Sequence, residues 1–147
     1  MNGTYTLNDL AMMTGFTTRT LRNYLSQGLL KGEKTGGAWQ FTAEEIERFF
    51  EEPFVKEGVR IKRSGVIFDF LSGGSRKEPR TCVILDAPAT RQKGARISSF
   101  FCEQMKAVSD LTFTFDWNHD HCRVILCGAA APAAQLLAAY HAASFDD

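Results

Sequence analysis

The sequence predicts two units of different class: a mostly α N-terminal unit over residues 1–72, joined to a small α+β unit over residues 80–147 that runs strand-helix-strand-strand-helix. Three observations lead there. Tyr5 to Phe41 contains two short helical patterns separated by Thr14, Gly15 and Phe16, the Gly-bearing turn of a helix-turn-helix. Ser72 to Pro79 is polar and Gly-rich, the composition of a boundary. Beyond it Leu111, Phe113, Phe115 and Trp117 alternate with Thr112, Thr114, Asp116 and Asn118, the period of a half-buried strand.

The first helix has a start signal. Thr6 caps it, Asp9 completes a capping box, and Tyr5 with Leu10 forms a hydrophobic staple. The second repeats the device with Thr17 as cap, Phe16 and Leu21 as staple, and Gly28 where a left-handed residue ends a helix. Leu7, Leu10 and Ala11 are expected to face Leu21, Tyr24 and Leu25, which turns Thr18, Arg19, Arg22 and Asn23 outward. The run 31–37 has the residues of a hairpin tip, with Lys34 and Thr35 expected there. Thr42 and Glu45 form another capping box, with Phe41 and Ile46 as staple. Ile46, Phe49 and Phe50 give the buried stripe of a helix that stops before Pro53. Pro53 opens a further helix that runs to the breaker Ser72–Ser75. Gly58 and Gly65 either let this helix pack closely or break it. Lys56, Arg60 and Arg63 form a face that is either solvated or within reach of a phosphate backbone.

In the second unit Thr81 to Leu85 reads as a strand, and Ile97, Phe100, Phe101, Met105 and Val108 as a helix. After the alternating strand come a turn at Asn118–His121 and an antiparallel partner, Cys122 to Cys127. A last Ala-rich helix follows Pro132 with Leu136, Leu137 and Tyr140. Both helices are expected on one face of a three-stranded sheet.

The run Arg19-Thr20-Leu21-Arg22-Asn23-Tyr24, then Gly28-Leu29-Leu30, resembles the DNA-binding head of the MerR family, a winged helix-turn-helix. The resemblance covers roughly residues 4 to 70. It implies that Thr17 to Gln27 is the recognition helix, that Lys31 to Phe41 is a β-hairpin wing, and that Arg22 and Tyr24 contact phosphates. One departure stands at the wing's end. Where the family usually carries an arginine and a tyrosine, this chain has Ala38-Trp39-Gln40-Phe41, and its Gly-x-Trp-x-Phe pattern is closer to the excisionase-like branch of the fold. The candidate DNA-binding residues are therefore Thr17, Thr18, Arg19, Arg22, Asn23 and Tyr24 on the helix, with Lys31, Lys34, Thr35 and Gly36 on the wing.

Composition bounds the rest. At 147 residues with 44% hydrophobic and 23% charged, the chain has ordinary globular make-up and formally zero net charge, so nucleic-acid binding has to be sought in local charge. From Thr17 to Gly37 four cations stand against one anion, whereas from Ala43 to Glu57 six anions stand against two cations. That asymmetry orients the recognition helix and wing toward phosphate. A second basic group, Arg76, Lys77, Arg80, Arg91, Lys93 and Arg96 against Glu78 and Asp86, is either an anion site or solvated surface. No charged-then-apolar leader and no long apolar run are present, so cytoplasm is the expected compartment, with no membrane contact. Cys82, Cys102, Cys122 and Cys127 are too sparse for a disulfide scaffold.

Asn118-His119-Asp120-His121-Cys122 with Cys127 is the only cluster resembling metal ligands, and its spacing is not that of a zinc finger or ribbon. Cys102 with His141, or Asp86 with His121, lacks a nucleophile-presenting context. No metal, cofactor or catalytic residue is expected. The leading expectation is a duplex-DNA-binding transcriptional regulator of MerR type that dimerises through residues 80–147 and answers to an unknown small-molecule effector if it has one. The alternatives are an excisionase-like protein that bends DNA, supported by Trp39, and a protein-interaction adaptor that kept the fold.

Overall fold

The computed structural model describes residues 4–118 and 120–145, and among them it contains six helices and two three-stranded antiparallel sheets. The first half runs β1 (Tyr5–Thr6), α1 (Leu7–Thr14), α2 (Thr18–Ser26), β2 (Glu33–Thr35), β3 (Ala38–Phe41), α3 (Ala43–Glu51) and α4 (Pro53–Ser72). The second runs β4 (Arg80–Pro88), α5 (Arg91–Met105), β5 (Leu111–Trp117), β6 (His121–Ala129) and α6 (Ala130–Ala142). His119, in the turn expected between β5 and β6, lies outside the described residues.

Local sequence signals set the helix starts. Thr6 Oγ1 accepts from the Asp9 amide and the Asp9 carboxylate accepts from the Thr6 amide, both at 3.0 Å. Thr42 and Glu45 repeat this at 3.1 and 3.0 Å. Each such cap contributes about 1 kcal/mol. All three staple pairs are buried, Tyr5 with Leu10, Phe16 with Leu21, and Phe41 with Ile46. The turn between the first helices is Gly15 to Thr17, one residue later than the sequence pattern suggests. Thr14 closes α1 instead: its hydroxyl donates to the Leu10 carbonyl at 2.8 Å and accepts from the Phe16 amide at 3.1 Å.

Tyr5 also pairs with Phe41 in a two-residue strand, which gives the first sheet the order β1-β3-β2. A strand that short has no alternation to read. α4 runs unbroken through both of its glycines. Gly58 allows close packing, since a Cβ there would stand 2.8 Å from the Phe16 ring, whereas Gly65 faces open space.

The second sheet has the order β4-β6-β5, with both outer strands antiparallel to β6. Its outer and central strands extend beyond the apolar runs that announced them, because the ladder continues through Arg80 and Pro88 at one edge and His121 and Ala129 at the centre. Pro132 lies in the first turn of α6, where its missing N–H costs no hydrogen bond. Phe101 stacks on Phe113 at 5.4 Å and on Tyr140 at 5.6 Å, so α5 and α6 cover the same face of the sheet.

One continuous buried cluster runs from Tyr5 and Leu10 in the first half to Phe115 and Leu136 in the second. α1 packs along β5. The Tyr5 hydroxyl donates to the Ala95 carbonyl at 3.1 Å and lies 2.7 Å from Ser98 Oγ, and burial raises its pKa above the ordinary phenol value. Among the described residues, two ion pairs join the halves, Glu47 with Arg91 and Arg63 with Asp116. They revise the charge reading. Glu47, one of the six anions counted between Ala43 and Glu57, is 4% exposed, and Arg63 is held by β5 rather than solvated or turned to a phosphate backbone. Arg60 pairs with Glu57 on α4 itself. The arginines of the basic group between Arg76 and Arg96 are also engaged internally: Arg76 donates to the Phe70 carbonyl at 2.6 Å, Arg80 pairs with Asp110 at 2.7 Å, and Arg96 donates to the Phe145 carbonyl at 3.2 Å.

Arg91→Ala would leave the Glu47 carboxylate buried without its cation. A cost of about 2 kcal/mol in chemical denaturation is expected, discounted from a fully buried pair because the arginine is 57% exposed. An unchanged denaturation midpoint would mean that water replaces the guanidinium.

Candidate nucleic-acid interface

α2 is fixed at both ends by its own sequence. At the start, Thr17 Oγ1 accepts from the Thr20 amide at 3.1 Å and donates to Thr20 Oγ1 at 3.0 Å. At the end, the Leu29 amide reaches the Tyr24 carbonyl at 2.9 Å and the Gly28 amide the Leu25 carbonyl at 3.2 Å, a Schellman closure with Gly28 at φ +78°. Leu21 is fully buried against α1. The Tyr24 ring meets Phe16 at 6.0 Å, Phe49 at 5.7 Å and Phe54 at 5.4 Å. These anchors decide which face is free.

That face carries Arg19, Arg22 and Asn23, spaced as one helical side and all exposed. None of these three side chains makes a hydrogen bond or ion pair with a described residue. Thr18 is half-buried beside them. Thr17 is exposed, but its hydroxyl is engaged in capping. Tyr24 is half-buried with its ring in the aromatic cluster.

The hairpin lies next in the chain. Its tip is Gly36–Gly37, at φ +58° and +82°, the positive pair a two-residue turn demands. This corrects the expected tip: Lys34 and Thr35 are on strand β2, opposite Trp39 and Ala38. Lys34 Nζ sits 5.8 Å from the Trp39 ring centroid, and Trp39 stacks on Phe41 at 6.5 Å. Lys31, Lys34, Thr35 and Gly36 are all exposed.

Residues 5–50 match the family profile described as MerR HTH family regulatory protein. The N-terminal head is of MerR type. No curated protein and no solved structure matches the chain. The matched segment takes in the whole of α1, α2, the hairpin and nearly all of α3, so the MerR-type head is built from the elements that expose Arg19, Arg22 and Lys34. The profile's description is of regulatory proteins that carry a helix-turn-helix.

Trp39 is half-buried in the MerR-type head. Trp39→Ala is expected to cost about 1 to 2 kcal/mol, less than removal of a fully enclosed aromatic, because the ring is only half-buried, with the Lys34 ammonium 5.8 Å from its centroid. Thermal unfolding measures it, and an unchanged midpoint would show that the stack on Phe41 contributes nothing.

A cleft of about 670 Å³ opens between the head and the end of α5. The first turn of α1, Arg22, and Gly37 to Trp39 line one side, and Met105 and Lys106 the other. No sequence signal could have joined Arg22 to Lys106, since nothing local relates them.

The remaining sequence candidates are structural. Cys127 stands opposite Cys82 in the ladder, and burial together with the neighbouring thiol pushes Cys82 up to about 11. Cys122 is buried on the sheet's other face, and burial holds it at about 11 as well. Cys102 is buried, and desolvation raises its thiol well above the ordinary value. The Asp86 carboxylate is bridged by Arg123 at 2.5 and 3.0 Å. Among the described residues no three His, Cys, Asp or Glu side chains converge on one point, and no helix is long and apolar enough to cross a membrane.

Proposed function

We propose that this protein is a sequence-specific, duplex-DNA-binding transcriptional regulator of MerR type, with residues 1–72 as the DNA-binding unit and residues 80–147 as the unit that dimerises or receives an effector. The observation that carries the reading is the unpartnered row Arg19, Arg22 and Asn23 on α2. Three side chains with no hydrogen-bond or ion-pair partner among the described residues can turn to a ligand without breaking such a contact, and guanidinium and amide are the chemistry that reads base edges and holds phosphates. In this reading α2 enters the major groove. Thr18, Arg19 and Asn23 face bases or phosphates there, while Arg22 and the Tyr24 hydroxyl hold the backbone. The β2–β3 hairpin acts as the wing, bringing Lys31, Lys34, Thr35 and Gly36 to the flanking phosphates, with Thr17 at the helix start beside them.

A second head comes from a homodimer. The exposed large apolar side chains lie on β4, at Ile84, and along α4, at Phe54, Ile61, Phe68 and Leu71, so the covered surface takes in α4 as well as residues 80–147. Light scattering on the full chain should give twice the monomer mass, and a monomer at tens of micromolar would exclude this assembly.

The function is tested by selecting duplexes from a random pool with the full chain and measuring affinity against salt. A preferred sequence, with log affinity falling linearly as log salt rises, is expected. Absence of any duplex binding at low salt would overturn the reading in favour of a protein-interaction adaptor.

A further inference from the structure

The cleft between the head and α5 has the make-up of a small-ligand site. Its volume of about 670 Å³ is that of a pocket for a compact organic molecule. Leu7, Met12, Ala38, Trp39 and Met105 make it largely apolar. Two methionines give it walls that adjust to a ring of unspecified shape, and sulfur packs well against aromatics. The charged groups decide the ligand's sign. Arg22 has no partner among the described residues, and Lys106 is tied only to Glu103 in an exposed pair at 3.2 Å, an attachment worth little. The one carboxylate on the lining, Asp9, is engaged in capping the Thr6 amide. The first turn of α1 adds the positive end of its dipole. A neutral apolar occupant would desolvate Arg22 with no compensation, whereas an anionic group satisfies it.

We propose that this cleft binds a small planar aromatic anion. Its carboxylate or comparable oxyanion lies between Arg22 and Lys106, and its ring lies against Trp39, Met12 and Met105. Because Arg22 belongs to both surfaces, the occupied cleft withholds it from a DNA phosphate, so ligand and duplex exclude one another. Only this competition rests on the DNA-binding reading; the ligand site stands on the cleft itself.

The test is a titration of the full chain with naphthoate, following quenching of Trp39 fluorescence as the difference between the wild type and Trp39→Phe. Saturable one-to-one quenching is expected. The neutral analogue naphthylmethanol should bind about tenfold more weakly, and Lys106→Glu should weaken naphthoate by a similar factor, as loss of one charge-assisted contact does. Lys106 is exposed, so that variant should keep the wild-type circular dichroism. Absence of saturable quenching, equal affinity for the alcohol, or indifference to Lys106→Glu would overturn the site. A saturated protein that still binds duplex unchanged would overturn the competition. A chain that binds naphthoate as described but no duplex at all would sink the regulator reading and leave the ligand site intact.

Discussion

Arg22→Ala is expected to weaken binding to specific and to random duplex by the same factor, about tenfold, and to reduce the salt slope by about one unit. Arg22 sits mid-helix on α2, exposed, and its side chain makes no hydrogen bond or ion pair with a described residue. The folded state should be unaffected, so thermal unfolding within a degree or two of wild type separates a lost contact from a damaged head. A loss confined to one sequence would make Arg22 a base reader rather than a phosphate holder. The same variant should also lose naphthoate binding, since Arg22 lines the cleft proposed to hold that anion.

Gly128→Ala is expected to be the most destabilising single methyl addition in the C-terminal half, at about 3 kcal/mol or more, read as a shift in denaturation midpoint with unchanged slope. Gly128 lies in β6 at φ +152°, where an L side chain is strained, and it pairs with Arg80's neighbour Thr81 on one side and Leu111 on the other. A Cβ would overlap the Asp110 carbonyl oxygen and stand 2.9 Å from Leu111 Cα. Both obstacles are backbone, so no rotamer change relieves them. Asp110 itself adopts φ +58°, and its carbonyl accepts from the Ala129 amide at 2.9 Å, so moving it breaks the entry into β5. A loss under 1 kcal/mol would show that this turn is soft.

Much of the head was legible because its determinants are local. A cap needs a hydroxyl and an amide three residues apart, as at Thr6 and Asp9, and a staple needs two apolar residues across one turn, as at Phe41 and Ile46. Side chains that close make their partners whatever the rest of the chain does. The Arg19 to Tyr24 run and the match over residues 5–50 lie in the same stretch. In the second half, alternation at Leu111 to Trp117 announced β5 and its buried face for the same reason. The hairpin tip was displaced by two residues because the glycine pair, not the lysine, sets a two-residue turn.

The sequence by itself thus determined the capped helix starts of the head, the apolar face of β5 and the outward row on α2, all of which depend on neighbours within a few positions. The tertiary structure alone decided that Tyr5 meets Ser98 across 93 positions, Arg63 meets Asp116 across 53, and Arg91 meets Glu47 across 44. No periodicity connects residues so far apart. Their proximity follows from packing α1 along β5, which buries apolar area no single segment can cover. That packing takes Arg63 and Arg91 out of the pool of free cations, leaves Arg22 in it, and opens the cleft where Arg22 and Lys106 face a common space.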